Sequence, residues 1–474
     1  MTTTKNKKGA PVPYSSVAER AAAGKAARAA VPRDRHAEWE PTGSRTDPVS
    51  ILEAQGTTRV PELLPIRHGR MAASAFAFYR GAAAIMAADL ATTPTTSLTV
   101  QLCGDAHLAN FGGFASPDRD LVFDLNDFDE TAPGPFEWDV KRLAASFDVA
   151  CRDRGMDKRQ RREIVSWSVR AYREAIRDFS KLNRLDLWYS RLDFAGVQQR
   201  WGSQVSRDAL RNLERSAAKA ETKTHLKAFA KLTVESGGEI RFASDPPLLV
   251  PVSELFADAQ AEVLRSTITD GLARYRDTLA EDRRRLFDGY RFVDLARKVV
   301  GVGSVGTRCW VALLVGRDAN DPLFLQVKQA ERSVLEDHLS DSVFANHGQR
   351  VVEGQRLVQA ASDVLLGWSD VVGADDVSRD FYMRQLWDWK VSANLELMAP
   401  EVFTIYAQIC GWTLARAHAR SGDAVAIGAY LGGSDVFDKA IVSFAGAYAD
   451  QNEADHGAVV SAISSGRLAA QAGI

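Results

Sequence analysis

Cys103-Gly104-Asp105-Ala106-His107-Leu108-Ala109-Asn110 sets an aspartate and an asparagine five residues apart, directly after a strand-like run, SLTVQLC. A carboxylate in such a loop can orient or deprotonate an attacking hydroxyl, and an amide oxygen can ligate a divalent ion. A second acidic group follows a short apolar strand at residues 119–124: Asp127, in Asn126-Asp127-Phe128-Asp129. Mg²⁺ (or Mn²⁺) takes carboxylate and carbonyl oxygens together with phosphate oxygens. Asn110 and Asp127 are therefore the expected metal ligands, with Asp129 and Asp124 in reserve. His107 is either a general base or a packed residue that shapes the loop. Asp139, at the start of the next helix, is expected to bond the loop rather than react. The plain alternative is a turn, since Asp, Asn and Gly favour turns for backbone reasons.

A second constellation lies about two hundred residues later. Gly301-Val302-Gly303-Ser304-Val305-Gly306 fits G-x-G-x-x-G. A Walker loop would end in Gly-Lys-Ser/Thr, but Thr307 and Arg308 follow here. A dinucleotide fingerprint needs a helix next, whereas TRCWVALLVG is strand-like. A hairpin folded over phosphates, as in protein kinases, remains, and it calls for a lysine on a third strand. Lys328, in Phe324-Leu325-Gln326-Val327-Lys328, stands 22 residues after Gly306. Gly301, Gly303, Ser304, Gly306 and Lys328 are thus the expected nucleotide-binding residues. Glu353, in HGQRVVEGQRL, is the expected partner of the lysine, with Glu336 as the fallback. A glycine-rich hairpin with an edge lysine is the structural alternative. The Asp105/Asn110 spacing and the Asp127 segment likewise match the kinase catalytic loop and its Asp-Phe-Gly motif, with Asp129 in place of the glycine.

These residues need a small antiparallel sheet for the glycine loop and lysine, and strand-flanked loops for the acids. Three short strands are expected at 297–300, 307–315 and 323–329, and another at FYMRQLW; helical patterns dominate elsewhere. Strand and helix do not alternate, which argues against a doubly wound parallel sheet. The chain of 474 residues exceeds one ordinary core, so two lobes are expected. The formal charge of −2 argues against a dedicated nucleic-acid binder. Cys103, Cys151, Cys309 and Cys410 form no C-x-x-C pair, which fits a reducing compartment. With neither a signal-peptide core nor a membrane-length apolar run, the expectation is a cytoplasmic protein without membrane attachment. The basic helical region between Arg152 and Arg215 reads as a solvated face.

MAASAFAFYRGAA, CGDAHLANFGGF, FDLNDFDETAPGPFEWDVKRLA, VGVGSVGTRCW, LQVKQA, GQRVVEGQRLVQAASD and LARAHARSGD resemble the bacterial family called domain of unknown function 2252. A remoter similarity is to aminoglycoside and choline phosphotransferases, which carry a His-Gly-Asp-x-His-x-x-Asn loop before an acidic segment. That resemblance implies a catalytic Asp105, metal ligands Asn110 and Asp127, and a phosphate-binding Lys328. Two departures stand out. Cys103 replaces the usual histidine, and the glycine loop follows the catalytic loop instead of preceding it. Circular permutation accounts for the order, since surface termini can be joined and reopened without changing a packed core. It also expects the LARAHARSGD helix to pack beside the catalytic loop.

The resulting expectation is an α+β, protein kinase-like, two-lobed fold, circularly permuted, with a mostly helical body and a small antiparallel sheet. Residues 1–45 read as a partly disordered basic arm with one short helix from Val17 to Ala30. Residues 46–290 carry the catalytic loop and metal site, 291–390 form the nucleotide-binding lobe, and 391–474 are helices packing back. The expected function is ATP/Mg²⁺-dependent phosphoryl transfer to an unidentified small-molecule or protein acceptor. The alternatives are nucleotidyl transfer on the same fold, a metal-dependent hydrolase, and a non-catalytic nucleotide-binding pseudokinase. The hydrolase would want more histidines than His107 near the loop.

Overall fold

Apolar alternation in the middle of the chain builds the main sheet. The computed structural model describes residues 15–473 except 205, 209–210, 212–213, 216–217, 220–221, 223–224, 237–238, 374 and 387–388. Its strands are β1 (Thr99–Leu102), β2 (Phe111–Ala115), β3 (Leu121–Leu125), β4 (Ala132–Pro135), β5 (Thr233–Ser236), β6 (Glu239–Phe242) and β7 (Leu249–Pro251). They continue with β8 (Arg291–Lys298), β9 (Cys309–Val315), β10 (Pro322–Ala330), β11 (Gly367–Val372), β12 (Ser378–Gln385) and β13 (Val391–Ser392). The fold is α+β with antiparallel sheets: a six-stranded sheet of order β11-β12-β10-β9-β8-β7, a three-stranded sheet β13-β2-β3, and the pairs β1-β4 and β5-β6.

Side-chain alternation gives the six-stranded sheet two different faces. Leu323, Leu325 and Val327 of β10, with Phe381 and Met383 of β12, point into an apolar cluster against the Asp258–Asp277 helix. On the opposite face Phe324 joins Val311, Leu313 and Phe242, while Gln326 and Lys328 continue the same row toward a cleft. Register puts Lys328 across from Tyr382 and Gln326 across from Arg384. One face is therefore core, and the other is half core and half site.

The larger core is helical. It joins residues of the Glu137–Asp153, Lys158–Phe179, Pro400–Ser421, Ala424–Leu431 and Val436–Ser464 helices with β1 and β3. The Val17–Ala30 helix forms as expected, starts with a capping box on Ser16, and is pinned to the Ala424–Leu431 cap by Arg20 on Asp423. Residues 1–14, the start of the expected arm, lie outside the described residues. His36 and Trp39 are buried, so the arm from residue 16 onward is part of the body. Residues of the Asp258–Asp277 and Glu281–Phe287 helices join the apolar cluster on one face of the six-stranded sheet. β2 and β4 occupy segments expected as loop and turn, and β11 follows the stretch expected as helix. No described helix is long and apolar enough to cross a membrane.

Candidate functional site

β1 ends at Leu102, and the chain turns at once because the Asp139 carboxylate accepts hydrogen bonds from the Cys103 N–H at 2.8 Å and the Gly104 N–H at 3.2 Å. Asp139 thus braces the loop as expected. His418 of the LARAHARSGD helix reaches the same carboxylate at 3.3 Å, so that helix does pack beside the loop. The loop then offers Asp105, whose Oδ1 accepts from Nε and Nη2 of the buried Arg142 at 2.9 and 2.7 Å. Its Oδ2 is 3.6 Å from His107 Nε2. Asn110 donates through Nδ2 to the Asp105 carbonyl at 2.7 Å, which leaves its amide oxygen as a possible ligand atom.

His107 is 3% exposed. Burial, followed by the charges of Arg80 and Arg142, holds its imidazole well below the usual range, so the ring is neutral at neutral pH. Its Nδ1 is buried without a partner. A neutral ring beside Asp105 shapes the loop and can accept a proton only at a large cost.

The acidic segment and the lysine meet in the cleft floor. Lys328, 3% exposed, is hydrogen-bonded to Asp129, whose other oxygen accepts from the Tyr382 hydroxyl at 2.8 Å. Asp127 lies 3.9 Å from the same ammonium, and its side chain is about a third exposed. Enclosure, followed by the neighbouring Asp129 charge, pushes the Asp127 carboxyl up. Enclosure also opposes ionisation of Asp129, but the Lys328 charge and the Lys328 and Tyr382 hydrogen bonds outweigh it and hold that carboxyl down. The two carboxylates in turn overcome the burial of Lys328 and hold its ammonium firmly charged.

The glycine loop connects β8 to β9 as one 3₁₀ turn, Val302–Ser304. Gly306 has φ +93°, a left-handed value that favours glycine, and residues 59–60 hold it in place. Val60 donates to its carbonyl at 2.8 Å, and Arg59 Nη1 donates to the Val305 carbonyl at 2.6 Å. Ser304 Oγ donates to Asp129 at 3.3 Å, which joins the loop to the acidic segment. A Cβ on Gly301 would meet nothing within 4 Å, so this position is open to an approaching group.

Asp105, His107, Asn110, Asp127, Gly301, Gly303, Ser304 and Lys328 all line one cleft of about 430 Å³. Gly306 sits at the base of the loop outside the lining, and Asp129 lies just beneath Lys328. The expected partner of Lys328 is corrected by the structure. Glu353 is bonded to Arg356 at 3.0 Å one turn along its own helix, and Glu336 lies 3.4 Å from Arg350. The face of the His347–Val358 helix that turns inward carries Arg350, not Glu353. Arg350 donates to the carbonyls of Asp129 and Thr131 at 2.7 Å each and of Glu331 at 2.8 Å. It thereby ties the acidic segment to the end of β10. Asp124, held in reserve as a metal ligand, is fully used: it takes Arg416, its neighbour Leu125 N–H and the Ala360 N–H.

Sequence reasoning missed Arg142, Arg350, Tyr382 and Arg384. Arg384 lines the cleft and donates to the Asn126 carbonyl at 3.0 Å and to Gln326 at 3.1 Å. The available signal was period-two alternation in FYMRQ, which puts Tyr382 and Arg384 on one face. Among the described residues no group of three His, Cys, Asp or Glu side chains is arranged to hold a metal ion. The oxygen donors Asp127, Asn110 and Asp129 suit a hard cation that brings phosphate oxygens as its remaining ligands.

No curated protein and no solved structure matches the chain. The family model described as "Uncharacterized protein conserved in bacteria (DUF2252)" matches residues 59–462, most of the sequence, and the chain belongs to that family.

Proposed function

We propose that the protein is an ATP- and Mg²⁺-dependent phosphotransferase with a circularly permuted kinase-like arrangement. The observation that carries the reading is convergence: Asp105, Asn110 and Asp127 share one cleft with Gly301, Gly303 and Lys328, from the far half of the chain. The cleft volume lies in the range of small-molecule sites. The connectivity agrees: β8, the glycine loop, β9 and the lysine strand β10 run as consecutive hairpins, followed by the His347–Val358 helix and β11-β12. The same succession, with the lysine on the third strand, covers the phosphates in kinases.

In this reading Mg²⁺–ATP supplies the transferable phosphoryl group and the charge that polarises it. Asp127 and Asn110 would hold the metal, with Asp129 close enough to join once it releases Lys328. The Lys328 ammonium neutralises phosphate oxygens, and the open backbone at Gly301 lets the loop approach them. Asp105, anchored through Oδ1 by Arg142, presents Oδ2 to orient an acceptor hydroxyl and take its proton. The acceptor is a small molecule or a protein side chain.

The test is ATP binding, with and without Mg²⁺, by thermal shift and calorimetry on wild type, Lys328→Ala and Asp127→Ala. Mg²⁺-dependent stabilisation of wild type that both variants lose is the expected result. No binding to wild type under any metal condition would sink the reading.

A further inference from the structure

The acidic segment, residues 126–131, is a loop between β3 and β4, and a loop does not by itself hold two carboxylates in place. Its backbone carbonyls are held from the far half of the chain. Arg384 Nη1 donates to the Asn126 carbonyl at 3.0 Å. Arg350 donates to the Asp129 and Thr131 carbonyls at 2.7 Å each, and Ser333 Oγ donates to that of Glu130 at 2.8 Å. The two arginines also grip the lysine strand on either side of Lys328. Arg384 Nε donates to the Gln326 side chain at 3.1 Å, and Arg350 Nη2 to the Glu331 carbonyl at 2.8 Å. Each guanidinium therefore bridges the segment that carries Asp127 and Asp129 to the strand that carries Lys328.

We infer that Arg350 and Arg384 are positioning residues, which clamp the acidic segment to β10 and so set Asp127 and Asp129 against Lys328. The planar fork of an arginine suits such a bridge, because it fixes several acceptors at once where an ammonium is a single point charge. Groups that orient metal ligands are typically worth about 10–100-fold in metal affinity. Arg350 is the sharper case. It is 2% exposed, and it lies outside the lining of the cleft, so its removal takes away no contact with a ligand. The His347–Val358 helix, expected to give Lys328 a glutamate, gives the backbone around it an arginine. Arg384 lines the cleft and holds the other end of the segment, next to Asp127.

The effect on metal affinity rests on the phosphotransferase reading, whereas the clamp itself does not, so two measurements keep them apart. The first is the Mg²⁺ concentration at which ATP half-maximally stabilises wild type, Arg350→Met and Arg350→Lys in a thermal shift. Arg173→Met, which breaks the buried Arg173–Asp438 pair in the helical body, controls for lost stability. Both Arg350 variants are expected to need at least about tenfold more Mg²⁺, and Arg173→Met the same amount as wild type. Arg350→Lys keeps the charge without the fork, so its failure to rescue separates positioning from charge. The second measurement is amide hydrogen exchange at residues 126–131 without nucleotide or metal, where the Asn126 and Thr131 N–H groups are hydrogen-bonded. Exchange there should quicken at least about tenfold in the Arg350 variants and in Arg384→Met, relative to Arg173→Met. If Arg350→Met misfolds, the double variant with Glu336→Gln takes its place, since it strands no carboxylate beside the lost arginine. Quickened exchange in variants of a wild type that binds no ATP would sink the phosphotransferase reading and support the clamp. Unchanged exchange at residues 126–131 would overturn the inference. So would Arg350 variants that keep the Mg²⁺ dependence of an ATP-binding wild type.

Discussion

Lys328 and Asp129 are hydrogen-bonded to each other across 199 residues of sequence, in the floor of a cleft that both halves of the chain build. The lysine is almost wholly buried, whereas the carboxylates of Asp127 and Asp129 keep a third and a quarter of their side-chain surface. The cation therefore holds two like charges together in the cleft floor. In the proposed function a metal ion that drew in Asp129 as well as Asp127 would compete with the ammonium for that carboxylate.

Removing that cation leaves Asp127 and Asp129 repelling each other at close range. Lys328→Met is expected to cost about 3 kcal/mol at neutral pH, the order found for breaking a buried pair. Asp129 is held down in the fold, so its contribution is present above the unfolded aspartate value and is lost as pH falls. The gap between wild type and Lys328→Met should accordingly close below about pH 4. Urea titrations across pH, with Asp129→Asn and the double variant, measure the coupling, expected at about 1–2 kcal/mol.

Asp124 separates structure from chemistry. It is 1% exposed, and Arg416, also 1% exposed, spans from the Pro400–Ser421 helix to reach it. Asp124→Asn is expected to lower stability by about 3 kcal/mol while leaving Mg²⁺-dependent ATP affinity unchanged. An unaltered denaturation midpoint with weakened metal dependence would instead make Asp124 a ligand.

What could be read ahead of the structure follows from the kind of signal each residue carries. Lys328 was legible because a charge alternating with Leu325 and Val327 has only one face to point to. The acidic loop was legible because Asp105, Asn110 and Asp127 keep a spacing set by local backbone geometry. β2 was not, since FGGFA has two central glycines and owes its extended form to pairing with β3 and β13. Nor was β4, where Pro133 and Pro135 suggest a turn and the ladder to β1 decides otherwise. The Glu353 expectation failed on helix phase: Arg350, three residues earlier, occupies the buried face, and Glu353 pairs with Arg356 instead. Arg67 and Arg80 sit on short helices, and Arg59 just after one, where charge ordinarily faces solvent, and only packing reveals that they are enclosed.

Arg45 gives the N-terminal segment a measurable role. It donates to both oxygens of Asp89 at 2.7 and 2.8 Å and to both of Asp455 at 2.8 and 2.6 Å. It thereby joins the Ala83–Leu90 and Val436–Ser464 helices. Arg45→Met strands two buried carboxylates and is expected to cost about 3–4 kcal/mol. Arg45→Lys should recover little, because one ammonium cannot reproduce the planar fork. Unfolding midpoints give the energies, and limited proteolysis should reveal a freed N-terminal segment in both variants.

His36 makes the docking of that segment acid-sensitive. The ring is fully buried, its Nε2 lies 2.6 Å from the Tyr430 hydroxyl, and it meets Phe437 edge-on with centroids 5.3 Å apart. Burial, followed by the charge of Lys141, lowers its pKa to about 3. The unfolded chain takes up a proton at about 6.5, while the folded ring resists until about pH 3. Stability from this group is therefore intact above about pH 6.5 and declines by about 1.4 kcal/mol per pH unit below it. His36→Gln keeps a hydrogen-bonding partner for Tyr430 but binds no proton. Urea midpoints near pH 7.5, 6 and 5 should fall less steeply in the variant, and other buried histidines, common to both proteins, cancel in the comparison. Parallel profiles would mean that the ring is already protonated in the fold or leaves its pocket before it titrates.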